Sequence, residues 1–487
     1  MSEERREDLE EGSGEGPVGG KSVSRREFLK IAGVAGAAVS MGAGLGGLVA
    51  ACGEEAATTT TAGPTTTAGP ATTMAPTTTM SAGPEAGREI KIGVVSPLTS
   101  YLAVFAVADK WGVGLVEEYL GETMVLGDGK SHKVSWLIRD TQSDENRASQ
   151  VTSDLILNDK ADLLIVGGSP TTAVPCADQC ETLGAPLLAT NCPWQAWVFG
   201  RGKTLETPEK WVFGSLFGIE QGTAGFIQAI DKVPTNKVAG LFLGNTADSQ
   251  AWLSPGIGMA DALKGAGYTV IDPGFFNLGT EDFTALISAY KKEGCEINVG
   301  SNPGKDFPNF WKQCLQQGYN PKACVEVIGL AATDDQEAMG ATCYGIIMGF
   351  TWHKSWPYSD PISGMTNAEL ADRYEKDLEK PWDQFITSYA RYAWVVDILK
   401  RATDLDDKEN ILNAIKTTKM DLITGPLDMT APVDPMGRLI TPNIWKQPWG
   451  YGQLQKGTKW PIEAPLVSQI DAPEVKIDRE PVPITYS

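Results

Sequence analysis

The stretch ADLLIVGGSPTTAVPCADQCETLGAPLLAT, residues 161–190, decides the fold. ADLLIVGG (161–168) is a short, unbroken apolar run closed by two glycines, the pattern of a strand covered on both faces. TTAVPCADQCETLG (171–184) is long enough for a helix and stops at Gly184, where a residue without Cβ can turn left-handed. PLLAT (186–190) is a second apolar run. Strand, helix and strand at this spacing form a βαβ unit, and such units build parallel sheets.

The same rhythm extends outward from that unit. EIKIGVVS (89–96) and KVSWLIRD (133–140) read as strands, and ENRASQVTSDLILND (145–159) as a helix. A second series starts with the strand VAGLFLG (238–244), a helix over 255–265 with Pro255 in its first turn, and the strand YTVIDPGFF (268–276). The next helix, 281–292, sets Phe283, Leu286, Ile287 and Tyr290 at i, i+3, i+4 and i+7. EINVG (296–300), a helix at 306–318 and VEVIG (325–329) follow. An apolar helix at 382–402 must pack on one of the sheets, and the tail past Met429 mixes Pro, Trp and short β-like runs. The expectation is an α/β protein of two lobes with parallel-sheet cores. Ligands of open parallel sheets sit beyond the carboxyl ends of the strands. The loops to watch are therefore PLTSY, GGSPTT, NCPWQAW, GNTADSQAW, GSNPGKD and GFTWHKSW.

Charge and composition narrow the chemistry. The 487 residues carry a formal charge of −20, which opposes a nucleic-acid partner. With two histidines, His132 and His353, and no C-x-x-C pair among eight cysteines, neither a metal site nor a cofactor is expected. There is no G-x-S-x-G elbow and no H-E-x-x-H, so a hydrolase lacks its usual parts. Cys192 with His353 is the remaining nucleophile–base combination, and the chain is read as a non-enzyme.

The first 51 residues read as an address. SRREFLK (24–30) resembles a twin-arginine export signal with Arg25 and Arg26 as its pair, and 21 uncharged residues follow, closing on LVAAC (48–52). That ending resembles the lipoprotein signal-peptidase box, in which Cys52 becomes an acylated N-terminus. The alternative is a membrane span, which six glycines in the run disfavour. Residues 52–87, with TTTTAGPTTTAGPATTMAPTTTM, cannot bury enough surface to offset ordering and read as a disordered tether. The expected location is outside the cytoplasm, lipid-anchored on the outer face of the cytoplasmic membrane or periplasmic.

Seven segments then carry a resemblance. IKIGVVSPLTS, RDTQSDENRASQ, ADLLIVGGSPTTA, LGAPLLAT, GTEDFTALISAYKKEGCEI, FWKQCLQQGYNPKA and ITGPLDM resemble, in order over about 89–430, the leucine/isoleucine/valine-type solute-binding proteins of ABC importers. The resemblance implies two Rossmann-like lobes joined by a three-segment hinge, the type I periplasmic-binding fold. Lobe 1 is then expected over 88–210 and 346–430, lobe 2 over 211–345 and 431–487. It further implies a monomer that hands a small amino-acid-like or carboxylate solute to permease and ATPase subunits. A sensor of the same fold, uncoupled from transport, is the alternative.

Site residues follow position by position. GGSPTT places a ligand carboxylate at Ser169, Pro170 or Thr171, against helix capping by Thr171 or Thr172. Asn191 to Trp194 form the next lip, where Asn, Cys and Pro replace the family's small hydroxyl residues. Trp194, and less so Trp197, are candidates to stack on the ligand; Phe105 falls where the family places an aromatic. From lobe 2, Asn245 and Asp248 are candidate polar contacts, and Asp306 matches the acid that grips an amino group, unless it only stabilises its helix N-terminus. Trp252, Trp352 and Trp356 are further cleft candidates. Cys176 with Cys192, and Cys314 with Cys324, are candidate disulfides.

Overall fold

The computed structural model describes residues 83–207, 209–302 and 304–486. The leader, its Arg25 and Arg26, Cys52 and the tether up to residue 82 lie outside the described residues. The described chain is an α/β fold built on two mostly parallel sheets.

In the first sheet the strand order is Leu439–Thr441, Ile444–Lys446, Val212–Phe217, Leu187–Pro193, Leu163–Val166, Ile90–Ser96, Ser131–Asp140 and Thr123–Val125. All neighbours are parallel except the outermost pair at each edge. Alternate residues of each strand face opposite helix layers. Ile90, Ile92 and Val94 pack with the Val107–Leu120 and Tyr389–Arg401 helices. Val95, Leu164 and Val166 pack with the Glu145–Leu157 and Pro170–Leu183 helices. Cover on both faces is why these strands read as unbroken apolar runs. Gly184 ends its helix at φ 68°, as the sequence predicts.

The second sheet runs Leu466–Ile470, Trp449–Gln453, Ile347–Phe350, Ala323–Glu326, Ile297–Gly300, Val238–Gly244 and Thr269–Ile271. Its strands are parallel from 347–350 through 269–271, and the two tail strands join antiparallel. Two local expectations change. The 255–265 helix begins only at Met259, because Gly256 at φ 81° keeps the Pro255 segment in a turn. The 268–276 strand breaks into Thr269–Ile271 and Phe275–Phe276 around Pro273 and Gly274 (φ 83°).

The chain passes between sheets three times. Val212–Phe217 belongs to the first sheet and leads into the Ile219–Ile230 helix of a core on the second. Ile347–Phe350 belongs to the second sheet, and Trp352 just beyond lies in a core of the first. Ile444–Lys446 pairs in the first sheet and Trp449–Gln453 in the second. The expected lobe limits at 210/211, 345/346 and 430/431 are therefore each displaced. The expectation broke the chain at loops preceding strands, whereas every passage leaves the carboxyl end of a parallel strand.

The cysteine pairings are also corrected. Cys176, Cys180, Cys192, Cys295, Cys314, Cys324 and Cys343 are buried free thiols. Cys176 Sγ takes a hydrogen bond from Thr152 Oγ1 at 3.0 Å, and burial pushes its thiol up to about 12. Each behaves as a small apolar core residue. Peptide mass mapping of the unreduced chain should recover Cys176, Cys192, Cys314 and Cys324 in unlinked peptides; a 176–192 or 314–324 cross-link would contradict this packing.

Trp252 lies in the second core at 1 % exposure, with Phe217 6.3 Å and Trp449 6.1 Å away, and a Cβ on Gly222 would collide with its ring. It is not a cleft residue. Trp252→Ala should cost about 3–5 kcal/mol in urea unfolding, and a loss below 1 kcal/mol would place it elsewhere.

Candidate functional site

Because all three passages leave carboxyl ends of strands, those ends of both sheets gather at one seam. On the first-sheet side, Gly168 turns at φ 104° directly against the Phe105 side chain, 3.3 Å from where a Cβ would sit. Ser169 then caps the Pro170–Leu183 helix, its Oγ accepting the Thr171 N–H at 3.2 Å. Capping therefore falls to Ser169 rather than to Thr171 or Thr172. Thr171 is buried beside it, and the Ser169 hydroxyl lies 3.3 Å from the Thr171 hydroxyl. Phe105 leans on Phe385, ring centroids 4.6 Å apart.

One buried ion pair underlies these loops. Asp109 and Arg391, each 1 % exposed, pair directly. Asp109 also accepts the Ser96 hydroxyl, and Arg391 Nη1 reaches Thr190 Oγ1 at 3.2 Å. A Cβ on Gly167 would collide with Arg391 Nη1, so only glycine fits there. Three strand ends, at Ser96, Gly167 and Thr190, are thus tied to one guanidinium–carboxylate contact. Burial raises the Asp109 carboxyl while Arg391 pulls it back down.

The tryptophans of CPWQAW have other duties. Trp197 is fully buried, with the Arg201 guanidinium 5.4 Å from its ring centre. Trp194 donates its indole N–H to Glu220 Oε1 at 3.2 Å, and Gln195 donates to the other oxygen of Glu220. Lys446 Nζ lies 3.4 Å from Glu220 and 3.5 Å from Asp471. Trp194 therefore braces the hinge, because Glu220 and Lys446 flank two of the three passages. Trp352 is fully buried against Trp382 (5.6 Å), and Trp356 is 2 % exposed, so both serve cores.

On the second-sheet side, Asp248 is 5 % exposed and accepts the Ser301 hydroxyl at 3.0 Å. Burial pushes its carboxyl up to about 6, and its charge acts on Cys192 and Tyr101 across the seam. Among the described residues no cation pairs with it. Glu326, at the end of its strand, takes N–H bonds from Asn302 (2.6 Å) and Gly329 (3.2 Å), yet burial pushes it up to about 8. Asn245 is exposed and bonded to Gln250. Asp306 stands in the first turn of its helix, where its Oδ1 accepts the Gly279 N–H at 2.9 Å. That is a local loop contact, and among the described residues no cation pairs with Asp306.

A cleft of about 380 Å³ opens at the seam, lined by Tyr101, Val104 and Val107 from one side and Lys305, Ile328 and Asp334 from the other. Sequence reasoning missed Asp109, Arg391, Glu220, Ser301 and Glu326. Lone charges on otherwise apolar stretches were the available signal for two of them, Arg391 in SYARYAWVV and Glu326 in ACVEVIG, whereas Asp109 in AVADKWGVG stands beside Lys110.

The sequence profile of the periplasmic binding protein family matches residues 89–442. That of the twin-arginine translocation pathway signal sequence matches 22–42, marking the chain for export. Among solved structures, a leucine-binding protein of Thermotoga maritima is 17 % identical, covering 79 % of this chain and 99 % of that one at TM-score 0.62. A solute-binding protein of an ABC transporter from Rhodopseudomonas palustris, in complex with 3,4-dihydroxybenzoic acid, is 17 % identical, with 80 % and 99 % covered at TM-score 0.61. A branched-chain amino acid transporter substrate-binding protein from Streptococcus pneumoniae, in complex with isoleucine, is 17 % identical, with 78 % and 99 % covered at TM-score 0.58. The family match makes this a binding protein rather than an enzyme. The chain belongs to the periplasmic binding protein family.

The buried groups set a pH dependence. Glu326, raised in the fold, holds its proton up to about pH 8, whereas unfolded it ionises near 4.5, so stability falls as pH rises through that window. His353 is buried and bonded to Ala464 O at 3.0 Å, and is lowered to about 3. It therefore subtracts stability as pH falls below 6.5. The melting temperature should rise from pH 9 to about 6.5, and Glu326→Gln should flatten that arm. An unchanged slope would contradict the assignment.

Proposed function

We propose that the chain is the extracytoplasmic solute-binding component of an ABC importer. It captures a small amino-acid-like or carboxylate solute between its two lobes and hands it to a permease. Acylation at Cys52, with residues beyond it as a tether, holds it at the outer face of the membrane. The observation that carries the reading is the pairing across the seam of the Ser169–Thr171 helix entrance with the buried, cation-free Asp248. A helix N-terminus favours a carboxylate and an unpaired buried carboxylate favours an ammonium. The complexes of similar structures with isoleucine and an aromatic acid fit solutes of this size.

A thermal-shift screen of amino acids, aromatic acids and amines tests the reading. A solute at 100 times its Kd should add about 2.7 kcal/mol of stability, and no shift across the panel would refute solute capture. In cells, Arg25→Lys with Arg26→Lys should block export, and Cys52→Ser should release exported protein from the membrane fraction. Persisting membrane attachment of Cys52→Ser would remove the lipid anchor.

A further inference from the structure

Asn191 stands near the carboxyl end of the Leu187–Pro193 strand at φ 56°, a left-handed conformation that few residues besides glycine, asparagine and aspartate adopt. It is 4 % exposed. Its Oδ1 and Nδ2 are both buried, and neither has a hydrogen-bond partner among the described residues. An unpaired buried polar group costs about 1–3 kcal/mol, and a left-handed non-glycine residue adds to that cost. Such cost is tolerated where a site needs the group.

The strand's alternation shows how the residue comes to be presented. Leu187 and Ala189 face one core and Leu188 the other. Cys192 returns to the face of Ala189, and the pairing register shifts between Thr190 and Pro193. That bulge breaks the strand's alternation at Asn191. Arg391 fixes the preceding residue through Thr190 Oγ1. The Ala247–Ala251 helix, which carries Asp248, packs from the second-sheet side on the Trp194–Phe199 helix that follows this strand. The Gln384–Ser388 turn packs on the same strand, and Gln384 Nε2 and Ser388 Oγ are likewise buried without partners. Four buried polar atoms without partners among the described residues thus lie on this strand and the turn packed against it.

We propose that Asn191 is the specificity-determining residue of the solute site, and that it reads a ligand edge bearing one hydrogen-bond donor beside one acceptor, as in a carboxamide. The proposal rests on the solute-capture reading. The side-chain amide offers a carbonyl acceptor and an NH2 donor on one edge. A carboxamide complements both with two parallel bonds. An aliphatic group of the same shape leaves both atoms unpaired, and sites built on buried polar groups reject such isosteres strongly.

The test is calorimetric titration of the exported chain with two near-isosteric pairs, asparagine against leucine and benzamide against benzoate. The amide should bind at least about tenfold tighter in one pair or both. Asn191→Gly, which removes the edge and tolerates the left-handed backbone, should compress that ratio to within about threefold without lowering the melting temperature. Asn191→Asp keeps the shape and backbone but loses the donor, and should compress it too. Equal or tighter binding of leucine and benzoate, no binding by either pair, or a preference that survives both substitutions would overturn the assignment. If the wider screen finds ligands with no amide preference, only the role of Asn191 falls. If that screen finds none, solute capture falls as well.

Discussion

Three passages of the chain, each leaving the carboxyl end of a parallel strand, oblige the two sheets to present the same kind of edge to one another. In a parallel sheet that edge is where helices begin and backbone N–H groups point outward, so it suits polar ligands. Had any passage left from an amino end, the two loop sets would not share a seam. Along it lie the Ser169 cap, the left-handed Asn191, Asp248 with Ser301, and Glu326 with Asn302.

Holding such loops in place needs rigid support from below, and the first lobe supplies it with charge. A buried ion pair adds little net stability over an apolar pair of equal volume, because desolvation offsets the attraction. The Asp109–Arg391 contact therefore makes better sense as a positional device. It ties helices Val107–Leu120 and Tyr389–Arg401 to Ser96 and Thr190 at the strand ends. At the hinge the arrangement is more exposed, with Glu220 gathering Trp194, Gln195 and Lys446 from the first lobe. The aromatic pair in CPWQAW is thus divided between core and hinge.

The parallel strands were legible because burial on both faces leaves a short apolar run bounded by turn residues. ADLLIVGG and VAGLFLG are of this kind, and Gly184 marked its helix end by the backbone it must adopt. The strand Val212–Phe217 was not legible as part of the first lobe, since pairing partners are decided by topology and not by local pattern. The tryptophans misled for a related reason: a large ring near a strand end is equally at home in a cleft or a core, and Trp252 and Trp352 are core. Asp248 was found because it follows a strand. Arg391 was not, because its partner Asp109 lies 282 residues away.

The central claim is that a solute is held by both lobes at once, between the Ser169–Asn191 lips and Asp248. A crystal structure of the exported chain with the tightest solute from a binding screen tests this most directly. The account predicts density for that solute in the seam, within hydrogen-bond reach of residues from both sheets. A solute seated on one lobe alone, or in a pocket away from the strand ends, would contradict it.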